Sequence, residues 1–170
     1  MHKTLAATAL AAVAIFASPP AAAADVGAAF SRGSTQVAVT GGTGYAFNES
    51  YFVLGVGVSY YLFDGLSIGL SLESWTGSDP KMLKVTPSVQ YVFRQVPVVK
   101  PYLGVFYRRA YLDGLPDIDS VGGRAGLYFA AGRSAYFGAG AVYESYVDCN
   151  KAIYNSCSST YPELTVMFAF

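Results

Sequence analysis

The sequence predicts an all-β chain that closes into an eight-stranded antiparallel, up-and-down β-barrel and crosses a membrane with its strands. Three observations carry this expectation. The last eleven residues alternate: Leu164, Val166, Phe168 and Phe170 fall on one face, and Glu163, Thr165, Met167 and Ala169 on the other. The first face is apolar throughout and the second mixed and small, which suits a wall between lipid and a packed interior. Upstream, from Thr35 onward, the chain repeats this design in segments rich in Val, Tyr, Phe and Gly, separated by turn residues. Beyond residue 24, no apolar run approaches the ~20 residues of a spanning helix. A chain that is 53% hydrophobic and 13% charged therefore crosses a membrane as strands or not at all.

Residues 1–24 stand apart from this pattern. Met1-His2-Lys3 is a short basic start, Leu5 to Phe16 an apolar run, and Ala22-Ala23-Ala24 a small-residue cleavage site before Asp25. That is the layout of a secretory signal peptide, and the apolar run is too short for a membrane anchor. The expected mature chain has 146 residues (170 − 24), one domain's worth. It keeps 10 Lys+Arg (11 − 1) against 11 Asp+Glu, a net charge of −1. No basic excess points to nucleic acid as a partner, and no acidic tail points to a disordered segment.

Residues 25–34 are small, polar and unpatterned, a lead-in to a barrel domain spanning 35–170. The first strand is expected over Thr35 to Phe47, with Val37, Val39, Tyr45 and Phe47 on one face. Asn48-Glu49-Ser50 connects it to the second, Tyr51 to Leu62, where Phe52, Leu54, Val56, Val58, Tyr60 and Leu62 face out and Gly55, Gly57 and Ser59 face in. Phe63-Asp64-Gly65 reads as a tight hairpin turn, its glycine placed where a positive φ is wanted. The third strand, Leu66 to Thr76, sets Leu66, Ile68, Leu70 and Leu72 against Ser67, Gly69, Ser71 and Glu73. Gly77 to Lys81 is a loop.

The fourth, Met82 to Phe93, sets Leu83, Val85, Val89, Tyr91 and Phe93 outward and Lys84, Thr86, Ser88 and Gln90 inward. Pro87 falls on the outward face, where a short irregularity accommodates it. Arg94 to Pro97 turns the chain into the fifth strand, Val98 to Leu112, with Leu103, Val105 and Tyr107 out and Tyr102, Gly104, Phe106 and Arg108 in. Asp113 to Ser120 reads as a polar loop with three aspartates. The sixth strand, Val121 to Ala130, places Ala125, Leu127 and Phe129 outward and Arg124, Gly126 and Tyr128 inward. After a turn over Ala131 to Ser134, the seventh, Ala135 to Val147, has Phe137, Ala139, Ala141 and Tyr143 out and Gly138, Gly140 and Glu144 in. Asp148 to Ser159 leads into the last strand. Tight turns follow Leu62, Phe93 and Ala130 and alternate with mostly longer connections on the other side, so the ends of an even-stranded wall lie together at the tight-turn side.

Tyr60-Tyr-Leu-Phe-Asp-Gly-Leu-Ser-Ile-Gly69 and Lys100-Pro-Tyr-Leu-Gly-Val-Phe-Tyr107 resemble the hairpin turn and strand start of small bacterial outer-membrane β-barrel proteins, including relatives of outer-membrane proteins A, X and W. The likeness in pattern runs over nearly the whole mature chain. It implies the outer membrane of a Gram-negative bacterium as location, with the termini and residues 25–34 in the periplasm. It also implies outer-membrane lipids and lipopolysaccharide as surroundings, and a barrel-assembly machinery that reads an ending such as Phe168 and Phe170.

Candidate function divides between lumen and loops. The inward charges are Glu73, Lys84, Arg108, Arg124, Glu144 and Glu163, all placed in the outer half; the periplasmic half (Ser67, Gly69, Ser71, Ser88, Gln90, Tyr102, Gly104, Gly138, Thr165) reads as small or neutral. Eight strands leave an interior only wide enough for side chains, so a salt-bridge network closing the lumen is the first expectation. A narrow channel for small solutes is the second. A soluble periplasmic lipid-binding barrel, with every face inverted, is the third. Catalysis is not expected: the only histidine, His2, leaves with the leader, so a His-assisted nucleophile has no base. Cys149 and Cys157 are expected to form a disulfide in an oxidising compartment; without histidine no metal set is complete, and no cofactor is expected. The loop it closes suits recognition of a surface ligand. Asp113, Asp117 and Asp119 are candidates for a divalent cation bridging lipopolysaccharide phosphates.

Overall fold

The structure is a computed structural model that describes residues 28–46, 49–132, 134–147, 149 and 157–170. The leader, Phe47 and the side chain of Tyr45 lie outside the described residues. Eight strands, β1 (Thr35–Ala46), β2 (Glu49–Phe63), β3 (Leu66–Thr76), β4 (Met82–Val92), β5 (Val99–Leu112), β6 (Ile118–Ala130), β7 (Ala135–Tyr146) and β8 (Ser158–Ala169), form a closed antiparallel barrel. Each pairs with its neighbour in sequence, and β8 returns to β1.

The barrel is apolar outside and polar inside. Leu54 is 55% and Leu164 63% exposed, whereas Arg108 is 5% and Glu144 3% exposed. A soluble lipid-binding barrel requires the reverse, so that alternative fails. The outward row from Phe52 to Leu62 spans about 25 Å along the axis at a typical strand tilt, the height of an outer-membrane apolar band. Pro87 sits opposite Leu70 of β3; towards β5, Thr86 and Pro87 have no register partner, while Val85↔Arg109 and Ser88↔Phe106 hold one register on either side.

Two expectations need correction. The polar loop after β5 is shorter than Asp113 to Ser120, because Ile118, Asp119 and Ser120 pair with Ala110, Arg109 and Arg108 as the start of β6. Ser120 faces the lumen and Asp119 faces Arg109, so both are held by strand-to-strand contacts that a run of polar letters conceals.

The lead-in is also more than a tether. Ala28–Phe30 forms a 3₁₀ turn that drives Phe30, fully buried, into the barrel end where both termini and the tight turns lie. Its anchors are local. Gly65 N–H donates to the Phe30 carbonyl at 2.8 Å, Gln36 Nε2 donates to the Ala29 carbonyl at 3.0 Å, and Arg32 N–H donates to Asp64 Oδ1 at 2.9 Å. Arg94 pairs with Asp64 at 2.6 Å and donates to Ser31 Oγ at 3.0 Å. Glycine is required at position 65 twice over: its φ is +81°, and a Cβ there would lie 2.5 Å from the Val92 carbonyl. Lys100, only 5% exposed, holds the next turn by donating to the carbonyls of Arg94 and Val96 at 2.8 and 2.7 Å.

Two outcomes follow. Phe30→Ala is expected to cost about 3–5 kcal/mol, as for a buried ring, read as a lowered urea midpoint for unfolding from lipid vesicles. At the turn, the Arg32 N–H and then the Arg94 guanidinium hold the Asp64 carboxyl below the ordinary 3.8 of an aspartate. Because its folded pKa is depressed, its stabilising effect is fully present above the unfolded 3.8 and is lost as pH falls from there through the folded pKa. The Gly65 amide resonance is expected to titrate with a midpoint below 3.8, and Asp64→Asn to abolish that transition.

Candidate functional site: the lumen

The lumen is filled in layers. At the terminal end Phe30 meets Tyr136 at 5.0 Å between ring centroids, Tyr128 at 5.9 Å and Tyr61 at 6.0 Å, while Tyr102 stacks on Tyr128 at 4.4 Å. Val92 and Met167 complete this cluster. The rings fit because the neighbouring strands carry glycine at the paired positions: a methyl at Gly138 would lie 2.7 Å from the Tyr128 ring, and one at Gly126 2.6 Å from the Tyr102 hydroxyl. The polar tips are satisfied, Tyr61 Oη donating to Gln36 Oε1 at 3.2 Å and Gln90 Nε2 to Tyr128 Oη at 3.0 Å. The expectation of a half lined by small or neutral groups is thus corrected. Apart from Lys100 at the turn it is neutral, but packed with aromatic rings, and the small residues are the spaces those rings occupy.

Arg108 organises the layer towards the loops. Its Nε donates to Thr86 Oγ1 at 3.0 Å; Nη1 donates to Glu144 Oε2 at 2.9 Å and to Tyr161 Oη at 2.8 Å; Nη2 lies 3.5 Å from Glu73 Oε1. Glu144 is held further by Ser120 Oγ at 2.5 Å and Tyr161 Oη at 2.9 Å. A buried ion pair persists when its remaining donors and acceptors are satisfied, and here five strands supply partners. Lys84 does not join this set by a salt bridge; its Nζ sits 3.6 Å from the centre of the Trp75 ring, whose Nε1 donates to Glu73 Oε2 at 3.4 Å. Above them Tyr51, Met82, Ala110 and Leu112, with Trp75 and Ile118, form an apolar cap at the loop end.

Arg124 and Glu163 pair separately at 3.2 Å. They stand at mid-strand, where Tyr102 Oη donates to Glu163 Oε1 at 3.3 Å, so they mark the border with the ring layer and not the outer half. Phe106 lies between the groups, 5.0 Å from both the Arg108 and the Arg124 guanidinium carbons. The sequence reading listed the charges and placed Thr86 inward with them, but did not single out the neutral partners Ser120, Tyr161 and Trp75. Inward parity could have found all three, since each lies an even number of residues from an inward charge on its own strand.

Outside the lumen, Arg109 engages Asp117 at 2.9 Å and Asp119 at 3.6 Å. Two of the three aspartates considered for a cation are thereby taken, and no group of three acidic, Cys or His ligands occurs among the described residues. Cys149 and Cys157 are disulfide-bonded, with 5.5 Å between their Cα atoms. Most of the loop they close lies outside the described residues. Phe168 faces outward on β8, and Phe170, exposed just beyond the strand, exchanges backbone hydrogen bonds with Thr35 at 2.8 and 3.2 Å.

Among solved structures, the chain is similar to the N-terminal β-barrel domain of Pseudomonas aeruginosa OprF, with a TM-score of 0.57 and 17% identity over 82% of this chain and 98% of that one. It is also similar to neisserial surface protein A, with a TM-score of 0.52 and 18% identity over 80% of this chain and 94% of that one. No protein-family model and no curated protein matches the chain. At these identities the likeness is one of fold.

Arg108→Met, leaving Glu144 buried without its cation, is expected to destabilise the barrel by about 3–5 kcal/mol. Adding Glu144→Gln should recover part of that loss, a coupling readable from urea midpoints of the two single variants and the double.

Proposed function

We propose, from the eight-stranded outer-membrane barrel fold, that this chain is a non-catalytic outer-membrane protein with a structural or surface-interaction role, its lumen closed along the axis. The filled cross-section carries this reading: the Phe30 and tyrosine layer at one end, the Arg108 group above it, and the apolar cap at the other. A channel for small solutes needs a continuous wet path, and the buried rings of Tyr61, Tyr102 and Tyr136 stand across it. Catalysis lacks support in the lumen, where Glu73, Glu144 and Glu163 each lie against a guanidinium.

In this reading the leader is cleaved and the termini lie in the periplasm. Phe168 and Phe170 present the ending read by the assembly machinery, and outer-membrane lipids with lipopolysaccharide surround the wall. The disulfide-closed loop between β7 and β8 is the part offered to a surface ligand.

The protein is expected in the outer-membrane fraction, migrating faster unboiled than boiled on SDS gels. In planar bilayers it is expected to show no steady conductance. Steady openings abolished by substituting Arg108 or Arg124 would establish a pore instead. Removal of residues 148–159 is expected to abolish binding to cells or matrix if that loop carries recognition; unchanged binding would exclude it.

A further inference from the structure

The lumen is not packed evenly. Between the tyrosine layer and the Arg108 group, the inward side chains of β1 to β4 are short: Thr40, Ser59, Ser71 and Ser88, with Gly57 and Gly69 between them. Gln90, the one longer group, is turned to Tyr128. Thr165 of β8 joins the short set. Register rows climb around a tilted barrel, so these residues come to the level of Arg124 and Glu163, which project from β6 and β8.

Each of the five hydroxyl residues is half-buried, although a closed wall separates it from the outside. Arg124 and Glu163 likewise keep 18% and 17% of their side chains exposed, against 6% and 5% for Arg108 and Glu144 above them. Below, Gln36, Tyr61, Ser67, Val92 and Tyr102 are buried. The surface shown at mid-height is therefore internal, a chamber ended by the rings on the terminal side. Towards the loops Glu73, Lys84 and Trp75 are half-buried in turn, so this internal surface continues to the loop end along β3 and β4.

The chamber walls are short of partners. The hydroxyls of Thr40, Ser59, Ser71, Ser88 and Thr165 make no hydrogen bond among the described residues. Arg124 Nε is buried and also lacks a partner. Polar groups withdrawn from bulk water cost free energy until something satisfies them. The lining limits what that can be. Hydroxyls both donate and accept, so an apolar guest leaves them unmet. Arg124 and Glu163, the charges at this level, are spent on each other at 3.2 Å, so an ion finds no excess charge. Water meets each group singly, at an ordering cost per molecule, whereas one molecule with several hydroxyls meets them together.

We propose that the mid-lumen chamber is a binding site for a small uncharged polyol that enters from the loop end. Arg124 and Glu163 hold it from one wall, and the serine and threonine hydroxyls from the other. Glycine at 57 and 69 keeps the room free: a side chain at either position would fill it, its Cβ already 3.2 Å from the Cβ of Ser71 or Ser59. The site goes beyond axial closure and is compatible with it. Tyr102, which donates to Glu163, belongs to the ring layer that ends the chamber, so a bound solute leaves by the mouth through which it came.

The test titrates the whole mature protein, in phosphatidylcholine nanodiscs, with the four-carbon polyol erythritol. The Arg124 Nε–H resonance is expected to shift saturably, with a Kd on the order of millimolar. Sodium phosphate and 1,2-dimethoxyethane, which accepts but cannot donate, should leave it in place. Ser71→Ala and Ser88→Ala, each removing one hydroxyl, are expected to weaken erythritol binding about fivefold. Ser88→Leu, which fills the chamber, should abolish binding in a barrel that still migrates faster unboiled. The absence of a saturable shift up to about 100 mM erythritol would overturn the proposal and leave water as the occupant. So would an equal response to phosphate or dimethoxyethane, or an unchanged Kd in both alanine variants. Conductance speaks only to axial closure, so failure of that reading is separately visible.

Discussion

Hydrocarbon accepts no hydrogen bonds, and a strand inside it must find its partners in other strands. From that constraint come the closure of β8 onto β1, the even strand number and the placement of both termini at one end. It also inverts the usual burial pattern. Leu54 and Leu164 face out because lipid costs them nothing, while Arg108 and Glu144 are inside because only there can their charges meet.

A wall of this size then sets a second problem, a narrow interior with no room for bulk water. The chain answers it differently at different heights. Near the termini, tyrosine rings are laid over glycines of the neighbouring strands, giving a dry layer whose hydroxyls reach Gln36, Gln90 and Glu163. Higher up, where rings give way to charge, one guanidinium serves as the centre and hydroxyls of Thr86, Ser120 and Tyr161 complete the pairing. Phe106, 5.0 Å from two guanidiniums, joins the layers.

Period-two alternation made the strands and their facing legible, because one lipid-facing row must be apolar for its whole length. Leu66 to Leu72 and Leu164 to Phe170 could be assigned from the letters alone. Partnership across the lumen was not legible. Arg108 meets Glu144 through the tilt of strands far apart in sequence, and nothing in either strand states that tilt. Lys84 illustrates the limit: its parity placed it inside, yet it rests on Trp75 instead of entering an ion pair. Phe30 was hidden for another reason. A 3₁₀ turn has no alternation to display, and the residues that hold it, Asp64, Gly65 and Arg94, belong to turns between other strands.

A proline in a closed barrel forfeits a ladder bond, and Pro87 shows how the wall absorbs the loss. Thr86 and Pro87 have no register partner on β5, yet Val85↔Arg109 and Ser88↔Phe106 hold one register on either side. On its other edge Pro87 keeps Leu70 of β3 opposite it. Pro162 likewise keeps its place in the ladder with β7, opposite Ala141. The wall therefore tolerates a missing donor where the other edge stays paired, and the outward placement of both prolines leaves the packing of the lumen untouched.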